Sequence, residues 1–141
     1  MTSFEELLAR DGKLVYKTRG VSMMPMLHEN RDLVFITVPR RRLRKYDVAL
    51  YKRGDSYVLH RVLKPADGFY LIRGDNTYTV EKIPDDNVIG VLTGFKRKGK
   101  EYSVDHKGYR AYVRIWCAIY PLRAVYACIR RTAGRLVKRF G

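Results

Sequence analysis

Apolar and polar residues alternate in short runs from residue 13 to about residue 104, and then recur at helical intervals to the end of the chain. A period of two marks a strand with one face covered, and a period near 3.6 marks an amphipathic helix. The alternating part predicts strands over residues 13–18, 33–38, 46–52, 57–64, 69–73, 88–96 and 101–104. Among these, Leu33-Val34-Phe35-Ile36-Thr37-Val38 is apolar almost throughout, as in a strand buried on both faces. Turn chemistry separates the runs at Glu29-Asn30-Arg31-Asp32, Arg53-Gly54-Asp55-Ser56, Asp67-Gly68, Gly74-Asp75-Asn76 and Arg97-Lys98-Gly99-Lys100. Ahead of the first strand, Thr2 or Ser3 can cap a short helix with Phe4, Leu7 and Leu8 on one face and Asp11-Gly12 at its end. After His106 the helical period takes over, and Pro121 interrupts it, which predicts two helices or one kinked helix. The fold class that follows is mainly β: an antiparallel domain over residues 1–106 with a short N-terminal helix, then a helical tail over residues 107–141.

Charge adds a direction to this picture. The chain has 141 residues, 46% of them hydrophobic, enough for one domain with a real core. Its 29 Lys and Arg against 14 Asp and Glu give a net charge of +15. The segment 107–141 holds nine Lys and Arg and no Asp or Glu, so it carries +9 of that total. Such a balance favours an anionic partner. A nucleic-acid-binding module is supported by charge alone, since no reading helix or aromatic RNA-binding motif accompanies it. The basic run Arg40-Arg41-Arg42-Leu43-Arg44-Lys45 reads as a solvated loop, with contact to an acidic ligand or membrane as the alternative. In the tail, Trp116 and several tyrosines among arginines suit a membrane interface, while the same apolar positions suit packing on the β domain. No apolar run reaches the roughly 18–20 residues of a membrane span, and the N-terminus is no signal peptide. The expected location is cytoplasmic, with peripheral attachment to anionic lipid through the tail. Cys117 and Cys128 have neither metal-ligand nor disulfide-framework spacing, and no metal or cofactor is expected.

Candidate chemistry centres on Arg19-Gly20-Val21-Ser22-Met23-Met24-Pro25-Met26-Leu27. Gly20 frees the backbone before the serine and Pro25 blocks a regular element after it, so Ser22 sits on a tight turn that can present its hydroxyl. Met23, Met24 and Met26 supply adaptable apolar surface for a small-residue pocket; as a turn alone, the same methionines fill the core. A serine hydroxyl needs a base to take its proton. The available groups are His28, His60, His106 or a desolvated lysine. His28 follows the turn too closely and His106 ends a polar strand. His60, in Val58-Leu59-His60-Arg61-Val62, shares a face with two valines and would stay neutral near pH 7; a core histidine bonded to a carbonyl would look the same. Asp75, after an apolar strand, can hold the other imidazole nitrogen, and Glu81 is a rival for that place.

Taken in order, Ser22-Met23-x-Pro25-x-Leu27, Tyr46-Asp47-Val48, His60-Arg61-Val62 and Gly74-Asp75-Asn76 resemble the signal peptidase I superfamily over residues 13–95. Bacterial members and the self-cleaving SOS repressors have a lysine where His60 stands, and histidine followed by Arg-Val resembles the archaeal and endoplasmic-reticulum type. The resemblance implies a serine endopeptidase that cuts after a small side chain. Ser22 would be the nucleophile, His60 the base, Asp75 the orienting acid and the Ser22 amide part of the oxyanion hole. It also implies a shallow pocket beside Met23 and Met24. No membrane anchor precedes Ser22, Gly20 stands where many bacterial enzymes have a serine, and Val21 where many relatives have glycine. Self-cleavage is a further alternative, with Ala133-Gly134 a dipeptide of the type the SOS repressors cut.

Overall fold

A computed structural model describes residues 3–140 and contains one eight-stranded, antiparallel sheet flanked by helices. Helix α1 (Phe4–Asp11) starts at Ser3, whose hydroxyl accepts from the Glu6 amide while Glu6 reaches back to the Ser3 amide. This reciprocal cap satisfies two otherwise orphaned donors. Gly12, in the left-handed region at φ 72°, closes the helix as expected. Thr2 lies outside the described residues.

The strands are β1 (Lys13–Lys17), β2 (Leu33–Thr37), β3 (Val48–Arg53), β4 (Ser56–Pro65), β5 (Phe69–Arg73), β6 (Glu81–Pro84), β7 (Val88–Arg97) and β8 (Lys100–Ser103). They lie in the order β1-β2-β7-β3-β4-β5-β6, with β8 hairpinned onto β7. All the alternating runs become strands. Two details differ from the sequence reading. Strand β2 is not buried on both faces: Val34 and Ile36 are buried, while Leu33, Phe35 and Thr37 between them are half-buried. Strand β6 was not expected, because Ile83 is its single apolar residue; it pairs with β5 at the sheet edge and ends at Pro84.

The central strands are covered on both sides, and adjacent residues serve different cores. Leu50 and Leu59 join the cluster built on Leu8, Val34, Ile36 and Phe95. Tyr51 and Val62 join a second one with Tyr70 and Ile72. The basic loop before β3 is less solvated than expected. Leu43 is buried, and Arg42 is held by the carbonyls of Ala66 and Phe69 and by Asp85. Its other basic side chains are exposed.

The tail forms α2 (Lys107–Ala118) and α3 (Tyr120–Phe140), breaking at Ile119, with Pro121 accommodated in the first turn of α3 where its missing N–H costs nothing. Helix α2 docks: Val113 is buried and Tyr109 meets the Phe95 ring at 5.2 Å. Helix α3 is anchored at its start only; from Cys128 to Arg139 every residue is exposed. Leu122, Tyr126, Ile129 and Val137, all at least 60% exposed, form an uncovered apolar stripe among arginines. Among the described residues, no helix is long and apolar enough to cross a membrane.

Candidate active site

The turn that carries Ser22 is fixed at its base by backbone groups. The Thr18 amide donates to the Asp32 carbonyl and the Asn30 amide to the Thr18 carbonyl, both at 3.2 Å, so the chain returns to the sheet where it left. Asp32, fully buried, accepts from the amides of His28 and Lys98 and from the Arg31 guanidinium. A carboxylate with that many donors is satisfied without water. Gly20 has φ 78°, which explains a glycine there; the Met24–Pro25 bond is cis. Met23 and Met26 point into the core, so the methionine surface expected for a substrate pocket reduces to half-buried Met24. Ser22 itself is half-buried.

The Ser22 backbone carbonyl and the His60 ring both border Gly74, and among the described residues no hydrogen bond joins the Ser22 hydroxyl to the ring. A methyl group placed on Gly74 would lie 2.8 Å from the Ser22 carbonyl oxygen and 3.0 Å from His60 Nε2. The two groups therefore share one narrow gap that only the missing side chain leaves open. The next residues tie this segment to the nucleophile turn. The Asn76 amide donates to the Ser22 carbonyl at 2.7 Å, and Asn76 Nδ2 donates to the Val21 carbonyl at 3.0 Å. The Ser22 amide makes no hydrogen bond among the described residues.

The other face of the imidazole is occupied. Tyr51 Oη lies 3.1 Å from His60 Nδ1 and donates to Glu81 Oε1 at 3.2 Å. A phenol has one proton; if it goes to the carboxylate, the Nδ1 proton is left to bond the Tyr51 oxygen. Glu81 Oε1 lies 3.6 Å from Nδ1 and is paired with Arg53 as well. With the Tyr51 proton on the acceptor-only carboxylate, the chain runs Nδ1–H to Tyr51 and Tyr51 to Glu81, and Arg53 Nη2 donates to the Tyr51 oxygen as well at 3.3 Å. Nε2, on the Gly74 side, makes no hydrogen bond among the described residues and is not sealed from solvent. Burial lowers the His60 pKa below the ordinary 6.5; the Glu81 field raises it, Arg53 lowers it, and Asp75 raises it more weakly. Burial, and after it the Glu81 carboxylate, raises the Tyr51 pKa, so Tyr51 stays a phenol. A neutral ring in that tautomer is what a general base requires.

Asp75 is brought close but does not orient His60. Its carboxylate takes Arg61 in a two-point pair, Nε to Oδ1 at 2.7 Å and Nη2 to Oδ2 at 2.8 Å, with the side chains 1% and 2% exposed. The carboxylate that reaches the His60 ring is Glu81, directly at 3.6 Å and through Tyr51. The reason is the strand period: His60 and Arg61 are consecutive on β4 and face opposite sides of the sheet. Arg61 also donates to the Tyr46 carbonyl and to Tyr109 Oη. The other histidines are elsewhere: His28 is half-buried below the turn, and His106 caps α2 by accepting from the Tyr109 amide.

Sequence reasoning did not find Tyr51, Arg53 or the tail residues Trp116 and Arg123 as parts of this region, and it quoted Arg61 in a motif without giving it a partner. For Tyr51 a signal was present: in a two-residue hairpin around Gly54-Asp55 it sits across from Val58, two positions from the Ala49–His60 pair and so on the same face of the sheet. Cys117 and Cys128 are free thiols, the first half-buried and the second exposed. No protein-family model matches the chain, and no curated protein matches it either.

Proposed function

We propose that the protein is a serine endopeptidase of the signal peptidase I type, cutting a peptide after a small residue, with Ser22 as nucleophile and His60 as general base. The observation that carries this reading is the gap at Gly74, which holds the Ser22 segment against Nε2 of a ring held from behind by Tyr51 and Glu81. In the reaction, Ser22 Oγ attacks the scissile carbonyl as its proton passes to His60 Nε2. The ring becomes an imidazolium, and the Glu81 carboxylate at 3.6 Å from Nδ1 stabilises the new charge. The Ser22 amide donates to the oxyanion of the tetrahedral intermediate. Nε2 then gives its proton to the leaving amine, and a water activated by the same nitrogen releases the acyl group from Ser22. In this reading Asp75 fixes the segment next to the dyad rather than the base itself.

The tail supports peripheral attachment to an anionic membrane. Its apolar stripe is uncovered, and Arg130, Arg131, Arg135 and Lys138 share the same exposed half of α3. Basic residues near an anionic surface contribute about 1 kcal/mol each, enough for reversible binding. Self-cleavage at Ala133-Gly134 has less to support it, because that dipeptide lies inside regular α3, and the nucleic-acid reading still rests on charge alone.

The test is digestion of a degenerate peptide library by the purified protein and by Ser22→Ala. The reading predicts cuts that follow small residues and vanish in the variant. Cuts at the same bonds by Ser22→Ala, or none by the wild type, would overturn it.

A further inference from the structure

The segment 74–76 has a second set of bonds, on the side away from Ser22, and these come from the tail. The Asp75 carbonyl accepts from Trp116 Nε1 at 2.8 Å and from Arg123 Nη1 at 3.0 Å. Both of its lone pairs are thereby used. Arg123 also donates through Nη2 to the Trp116 carbonyl at 2.9 Å and stacks on the Trp116 ring at 3.9 Å, so one guanidinium joins α2, α3 and this segment. Tyr112 adds a bond to Asp75 Oδ2 at 3.4 Å, and Tyr109 holds Arg61, the partner of Asp75. Beside them Tyr120 stacks on Arg73, the last residue of β5, at 3.5 Å. The tail is a basic appendage by composition, yet Tyr112, Trp116 and Arg123 all bond Asp75, the residue between Gly74 and Asn76, while Tyr109 bonds Arg61 and Tyr120 the Tyr78 carbonyl.

We infer that Trp116 and Arg123 are positioning residues for the dyad: through the Asp75 carbonyl they hold the 74–76 segment in the place that sets the spacing of Ser22 from His60. The inference rests on the peptidase reading for its catalytic meaning. Gly74 borders both reacting residues, and Asn76 holds the Ser22 and Val21 carbonyls. A shift of this short segment therefore moves the nucleophile turn relative to the ring. Neither Trp116 nor Arg123 need touch substrate.

The experiment compares the full chain with Trp116→Phe, Arg123→Met and the double variant, using Arg135→Met, which lies farther along the exposed half of α3, as a control. Trp116→Phe keeps an aromatic ring under Arg123 and removes the Nε1 donor. Two quantities are read: hydrogen exchange of the Asn76 amide, which needs no substrate, and kcat and KM on a peptide selected from the library. In the double variant the Asn76 amide should exchange at least about tenfold faster with the Leu50 amide in the core unchanged. The same loosening should lower kcat at least about tenfold with KM within about twofold, as a misplaced reacting group does. The single variants should fall between, and Arg135→Met should match the wild type. If the double variant does not fold, Trp116→Phe alone decides. Unchanged exchange at Asn76, or faster exchange with kcat unchanged, overturns the inference. A wild type that cuts no peptide fails the peptidase reading instead, and exchange at Asn76 then decides the positioning by itself.

Discussion

His60 and Arg61 are neighbours on one strand, and the two faces of β4 treat them in opposite ways. On one side Arg61 meets Asp75 in a pair that is 1% and 2% exposed, with Tyr46, Tyr109 and Tyr112 supplying further bonds. Every charged atom there is committed. On the other side His60 meets Tyr51, Glu81 and Arg53, where the carboxylate is 24% and the guanidinium 53% exposed. That network is looser and partly wet, and it leaves Nε2 without a partner. The buried pair is stiff and costly to disturb, because taking one charge away strands the other out of water. The histidine network can take up and release a proton without leaving a buried charge alone. The carboxylate next to the motif is therefore committed to Arg61, and the one that reaches His60 is the more exposed Glu81.

The contrast can be broken in graded ways. Ser22→Ala and His60→Ala should each lower peptide cleavage by at least about 10³-fold with the fold retained, since the two act as one unit. Asp75→Ala should act on the fold first: it leaves Arg61 buried and unpaired, at a cost of about 3–5 kcal/mol, measured by denaturant unfolding. Glu81→Gln should do the reverse, losing less than about 1 kcal/mol because its ion pair with Arg53 is solvated. Its kcat should fall about 10–100-fold, part of the 10²–10⁴ that general-base catalysis supplies. If Glu81→Gln unfolds the protein and Asp75→Ala slows it without destabilising it, the assignment of the two faces is inverted. Gly74→Ala places a methyl 2.8 Å from the Ser22 carbonyl and should cost about 1–3 kcal/mol together with activity. A Gly74→Ala protein with wild-type kcat would show that the gap is not where the dyad meets. The mildest change is removal of α3 after Ile129. Co-sedimentation with anionic vesicles should weaken and cleavage of a soluble peptide should persist, because the clamp at Arg123 is retained. Equal binding to neutral vesicles would remove the electrostatic account of the tail.

The sheet was legible because alternation of apolar and polar residues is a local property, and each alternating run became a strand. Strand β6 was not, since Glu-Lys-Ile-Pro has no pattern of its own and is a strand only by pairing with β5. The turn at Ser22 and the place of His60 within a strand could be read from turn chemistry and alternation. Which carboxylate reaches His60 could not, because two carboxylates six residues apart differ only in which face of the sheet they reach. Asp75 follows β5 and Glu81 opens the unforeseen β6, so without that strand the two stayed rivals. The tail was legible as helix and as charge. That Trp116 and Arg123 reach one carbonyl depends on how α2 crosses the sheet, which no local period encodes.

The central claim is that His60 stands neutral near pH 7 with its proton on Nδ1 and a free lone pair on Nε2. Nitrogen-15 NMR of the intact protein, titrated from pH 4 to 8, reads both properties without a substrate. The folded pKa is lowered by burial, so the ring should remain neutral down to a midpoint below the ordinary value of about 6.5. Cleavage should rise through that same midpoint and then level off, and the stability contributed by the neutral buried ring should be lost as pH falls through it. In Glu81→Gln the tautomer should become mixed. A ring that carries its proton on Nε2 at pH 7.5, or that titrates above 6.5, would contradict the account.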